Sequence, residues 1–87
     1  MNGRALVAWN LRRIRVKRGL SQERLAYDAG VDRSYVGCLE RREENPTVDV
    51  LERLAKTLGI GIAELFKEPR KGSLPPKPLP SGRRPSR

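Results

Sequence analysis

Eighty-seven residues set a single domain, and 19 Lys and Arg against 10 Asp and Glu, with no His, leave a formal charge of +9. One cysteine excludes an intramolecular disulfide framework and fits a reducing cytoplasm; with no histidine beside it, a structural zinc site is excluded as well. The longest apolar run near the start, residues 5–9, breaks at Asn10, too short for a signal peptide or a membrane span.

The first predicted element is a helix over residues 5–18. Val7, Leu11 and Ile14 share one stripe, and Arg12, Arg13, Arg15, Lys17 and Arg18 crowd its second half, where the helix dipole favours cations. Gly19 ends it. Leu20 is a buried link, and Ser21 is placed to cap a second helix over 22–29. A third helix is expected over 33–41, capped by Asp32, followed by a loop at 42–46. Pro46 stops any helix from running through, and Thr47 caps a fourth helix whose apolar face is Val48, Leu51, Leu54, Ala55 and Leu58. Gly59 closes it, Ile60 packs back, and residues 62–66 add a last helical turn or two.

The stretch 22–39 reads Q-E-R-L-A-Y-D-A-G-V-D-R-S-Y-V-G-C-L. Two helices that cross steeply need a small residue at the crossing, which is Ala26. A sharp exit needs a residue that tolerates positive φ, which is Gly30. Leu25 and Ala29 point inward from the first helix of the pair, Val36 and Leu39 from the second. With those two inward, Arg33, Ser34, Gly37, Cys38 and Arg41 face outward. Polar side chains at that end of a helix suit the base edges of a DNA major groove.

The segment resembles the helix-turn-helix of the Cro/phage-repressor (XRE) family. R-R-I-R-V-K-R-G-L-S-Q-E-R-L-A before it and L-E-R-R-E-E-N-P-T-V-D-V-L-E-R-L-A-K-T-L-G-I after it extend the likeness over residues 5–66. The resemblance implies an all-α, five-helix, lambda-repressor-like domain over residues 1–68 that controls transcription from a near-palindromic operator as a homodimer. It places Arg33, Ser34 and Cys38 where the family reads bases. Arg33 is suited to guanine O6 and N7, Ser34 to several bases, and Cys38 to a groove edge or thymine methyl, while Gly37 would let the helix approach closely. Gln22 falls where the family meets a phosphate, and Glu40 where an acid pairs with a first-helix arginine, here Arg15.

Arg41, Arg42 and Arg12 are further candidates for the DNA backbone. Tyr35 reaches a phosphate or packs on the second helix; its spacing allows both. Ile60, Ile62, Leu65 and Phe66 either form the dimer contact, as this end often does in the family, or finish the monomer core; Trp9 is a lesser candidate. Two positions depart from the pattern: Arg42 stands where a glycine usually ends the third helix, and Gly61 where Ser or Asp often caps the last.

From Pro69 the composition changes. Six of seven prolines lie here with six basic residues and no acid, so residues 1–68 carry only +3. Such a segment buries too little to offset its ordering entropy, and a disordered basic tail is expected over 69–87. The basic balance favours a polyanionic partner. No Ser or Cys stands beside a base and no Gly-rich phosphate loop appears, so neither catalysis nor a cofactor is expected. The expected location is the cytoplasm of a bacterium, or of the host of a phage or plasmid, at the nucleoid and away from membranes. Other roles stay open: a restriction–modification controller, an antitoxin, or an adaptor that recruits a partner through the proline segment. RNA binding lacks the aromatic platform that single strands require.

Overall fold

The computed structural model describes residues 1–74, so the expected tail falls outside the described residues from 75 onward. Residues 69–74 are described and include a hydrogen-bonded turn, Ser73 N donating to the Arg70 carbonyl at 2.9 Å. Four α-helices run Gly3–Lys17 (α1), Gln22–Ala29 (α2), Tyr35–Glu40 (α3) and Val48–Leu58 (α4), and a 3-10 helix runs Ile62–Phe66 (η1). Among the described residues, four α-helices and this 3-10 turn therefore stand in place of the five helices expected. Gly61 offers η1 no side-chain cap. Five residues are few to nucleate an α-helix, and the tighter i→i+3 turn is the usual outcome.

Each long helix begins at a side chain that accepts from a free backbone N–H. Asn2 Oδ1 accepts from Ala5 N at 2.9 Å, which starts α1 two residues before the expected boundary. Ser21 Oγ accepts from Arg24 N at 3.0 Å, and Thr47 Oγ1 from Val50 N at 3.1 Å. The helix ends are more uniform still. After α1, α2 and α4, Gly19, Gly30 and Gly59 adopt positive φ. In each case the following residue donates five positions back: Leu20 to Arg15, Val31 to Ala26, Ile60 to Ala55. α3 closes in the same way, Arg42 N donating to Leu39 O at 3.0 Å and Glu43 N to Cys38 O at 2.9 Å. Here, however, the left-handed position is held by Arg42, at φ 64°.

α3 is shorter than the 33–41 expected. Tyr35 N bonds the Asp32 carbonyl at 2.9 Å, an i→i+3 closure, so Arg33 and Ser34 form a tight turn ahead of the α-helix proper.

α1 packs on α3 and η1, and α2 packs on α3 and α4. Between them lie Leu11, Leu25, Leu54, Leu65 and Val36, all sealed from solvent. Val48 departs from the expected apolar face: it is the first residue of α4 and is exposed.

Two polar ties cross this core. Asn10, the residue that breaks the first apolar run, is fully buried. The two Nδ2 hydrogens are shared among the carbonyls of Leu6 (3.0 Å), Leu65 (3.1 Å) and Lys67 (2.8 Å), and its Oδ1 accepts from Arg13. It thus satisfies carbonyls of η1 that a 3-10 turn leaves unpaired. Arg18 Nε donates to the Leu58 carbonyl at 2.7 Å, serving the C-terminus of α4.

A non-glycine residue in the left-handed region costs roughly 1–2 kcal/mol. Arg42→Gly should therefore raise the unfolding free energy by about 1 kcal/mol and Tm by about 4–8 °C. Thermal melts would check this; a fall in Tm would mean that the Arg42 side chain makes contacts that outweigh the strain.

Candidate nucleic-acid interface

The surface of interest is the outer flank of α3 and the turn before it. Val36 and Leu39 are buried in the core, which fixes the helix by its inner side. Arg33 and Ser34 then lie exposed at its leading end, and Arg41 and Arg42 at its trailing end. Two hydrogen bonds close the leading turn: Asp32 Oδ1 accepts from Ser34 N at 2.9 Å and from Ser34 Oγ at 2.8 Å. Those two bonds hold the Asp32 carboxyl below its usual pKa, the backbone bond first.

α3 is held to α1 by a buried ion pair. Arg15 Nε meets Glu40 Oε2 at 2.6 Å and Arg15 Nη2 meets Oε1 at 2.9 Å, with side chains only 7% and 2% exposed. Arg15 Nη1 also donates to the Leu20 carbonyl at 2.8 Å, so the fork is used on both sides. Gln22 joins from the first residue of α2, its Nε2 donating to Glu40 Oε1 at 3.0 Å. A carboxylate only accepts, so this bond sets which way the Gln22 amide points, with Oε1 turned toward Gly37.

Gly37 differs from the outward, base-facing position expected of it: it is buried beneath the Gln22 and Arg41 side chains. A Cβ there would stand 3.1 Å from Gln22 Oε1 and 3.2 Å from Arg41 Nη1. The glycine makes room for those two groups to lie across α3 and is not itself part of the outer surface. Cys38 is half-buried, and Arg41 Nη2 approaches its sulfur at 3.5 Å.

Of the remaining candidates, Tyr35 is half-buried and packs against the hydrophobic core. Burial, then Glu44, pushes its hydroxyl pKa up. Arg12 is half-buried with its Nε sealed and without a hydrogen-bond partner. In η1, Leu65 differs from the dimer contact expected of it: it is fully buried within the protomer and finishes its core. Ile60 and Ile62 are half-buried and line an open groove of about 400 Å³ with Glu52 and Lys56. Phe66 is exposed. Trp9 lines a different groove, with Arg13, Lys67 and Leu74.

Two residues of this surface escaped the sequence reading. Glu23, in the first turn of α2, binds Arg33 Nη2 at 3.0 Å. Glu43, just after α3, binds Arg41 Nε at 3.0 Å. The latter bond lowers the Glu43 pKa and raises that of Arg41. The i+2 spacing of Glu43 from Arg41 is the one local signal for either contact.

Residues 11–65 match the helix-turn-helix family HTH_3. The chain belongs to this family, and within it to the Cro/repressor (XRE) type. It is 40% identical over 67 residues to a Neisseria hypothetical transcription factor from Neisseria meningitidis, across 77% of this chain and 63% of that relative's length. It is 37% identical to control protein C.BamHI of Bacillus amyloliquefaciens, across 75% of this chain and 82% of the other. Among solved structures, the Neisseria transcription factor NHTF superposes with a TM-score of 0.77 at 38% identity, covering 80% of each chain. The restriction–modification controller protein C.AhdI from Aeromonas hydrophila superposes with a TM-score of 0.70 at 43% identity, covering 72% of this chain and 96% of the other. No helix among the described residues is long and apolar enough to cross a membrane.

Removing Glu40 leaves Arg15 charged and dry. Glu40→Ala should cost about 3–5 kcal/mol of stability, the usual penalty for breaking a buried pair from one side. Urea denaturation would measure it; a loss under about 1 kcal/mol, typical of exposed pairs, would show that the pair is solvated in solution.

Proposed function

We propose that this helix-turn-helix transcription regulator binds a near-palindromic operator in double-stranded DNA as a homodimer, with α3 and the turn before it in the major groove. The observation that carries the reading is the asymmetry of that element: Val36 and Leu39 are locked in the core while Arg33 and Ser34 stand exposed at its leading end. Arg33 reads a guanine through a bidentate contact, Ser34 supports it, and Cys38 meets the groove edge. Gln22, Arg41, Arg42, Arg12 and Tyr35 serve the phosphates and set register without selecting sequence. For Gln22 the second Nε2 hydrogen does this, since the first is given to Glu40. Arg12 acts through its terminal nitrogens, because Nε is enclosed.

A single short helix reads few base pairs, and a two-fold dimer doubles the site. Its half-sites would lie about 34 Å apart, one turn of DNA. Exposed Phe66 and half-buried Ile60 and Ile62 supply the apolar surface for that dimer. The setting is the cytoplasm and nucleoid of a bacterium or of a phage or plasmid host.

A second reading, controller of a restriction–modification locus, draws support from likeness. The match covers 79% of control protein C.SmaI of Serratia marcescens and 96% of C.AhdI, nearly the whole of the latter.

Selection of bound duplexes from a random pool tests the main reading. It should return a near-palindrome with half-site centres about 10 base pairs apart; a pool with no enrichment would overturn it. On the enriched duplex, Arg33→Ala should relax discrimination at one base pair by about 1–3 kcal/mol. An equal loss on every sequence would assign Arg33 to the phosphates instead.

A further inference from the structure

Five ion pairs occur among the described residues, and two of them occupy arginines of the proposed recognition surface. Glu23 reaches Arg33 from α2, across the turn of the motif. Glu43 reaches Arg41 from the residue that completes the close of α3. They approach from opposite ends of α3, and all four side chains are mainly exposed. The contacts are made through the same guanidinium N–H groups that a base or phosphate would take: Nη2 of Arg33, and Nε of Arg41.

We propose that Glu23 and Glu43 are specificity-determining residues: each is a built-in competitor for a DNA-contacting arginine, and together they suppress sequence-independent binding more than binding to the operator. This rests on the assignment of the α3 surface to DNA. Exposed carboxylate–guanidinium pairs are weak, so DNA can displace the acid without a large barrier. The displaced acids nevertheless remain well within a Debye length of the phosphates, about 8 Å at physiological salt, and are repelled by them. A complex on arbitrary DNA is held almost wholly by phosphate charge and feels that repulsion undiluted. A complex on the operator adds bidentate hydrogen bonds from Arg33 to a base edge, in a geometry that replaces the Glu23 contact in kind. Charges that oppose the wrong partner more than the right one sharpen discrimination without adding affinity.

Glu40 does not share this role. Glu40 is buried against Arg15 and holds α3 in place from beneath.

The test uses the full chain, the duplex that it enriches from a random pool, and a scrambled duplex of equal length, with affinities read by fluorescence anisotropy at two salt concentrations. Glu23→Gln and Glu43→Gln should each tighten binding to the scrambled duplex on the order of threefold, and the double variant about tenfold. The enriched duplex should gain markedly less, so the ratio of the two affinities falls. Glu68→Gln, which removes the same charge beside Trp9 in the groove that holds Lys67, should leave that ratio unchanged. Equal tightening on both duplexes, matched by Glu68→Gln, would reduce the effect to net charge and overturn the proposal. So would no tightening on the scrambled duplex. A wild-type chain that does not prefer its enriched duplex would instead remove the DNA-binding reading, and this proposal with it.

Discussion

Arg15 and Glu40 form a nearly dry ion pair, 25 positions apart in sequence, at the place where α1 and α3 meet. α3 is only six residues long, far too short to be stable by itself. Its orientation is therefore set by what grips it. Val36 and Leu39 supply an apolar anchor, but such contacts are non-directional and allow a short rod to roll. The forked bond from Arg15 removes that freedom, because two parallel N–H···O contacts fix an angle as well as a distance. Through Glu40 the same pair also sets the Gln22 amide, and through Gln22 it touches α2. One carboxylate thus fixes the relation of three helices to one another.

The outer surface then follows by subtraction. With its inner side anchored and its C-terminal half held by Glu40, α3 can offer only the leading turn and one flank. Gly37 belongs to the same construction from the other direction. Its missing side chain lets Gln22 and Arg41 fold over the helix, which brings Arg41 to both Cys38 and Glu43. Polar groups on this side are consequently linked to one another, and a change at one is felt at the next.

Much of the fold was legible because local rules and global packing agree. The caps at Ser21 and Thr47, the glycine exits at 19, 30 and 59, and the 3.6-residue stripes are local signals, each visible within a few residues. What could not be read were features that depend on residues far apart. Asn10 looked like the end of an apolar run; only the arrival of residues 65 and 67 beside it, 55 and 57 positions later, makes a buried amide favourable there. Leu65 could have faced a partner or the core, and periodicity over five residues cannot choose. Gly37 was placed outward by helical spacing, correctly as a direction, but the side chains of Gln22 and Arg41 that cover it come from other turns. The break from 33–41 to a shorter α3 also has a local cause: Asp32 satisfies the Ser34 amide with its own side chain, so the first turn closes more tightly than an α-helix would.

The Asn10 tie brings the carbonyl of Lys67 onto α1, seven residues beyond that helix's first residue. At 1.5 Å per residue this separation is roughly 10 Å along the helix axis. A bridge of about five residues could therefore join position 67 to position 2, with new termini opened in the exposed loop between α3 and α4. The fold should tolerate such circular permutation. The order of these elements along the chain is then incidental to the architecture, since α1 and η1 are already stitched together by one side-chain amide.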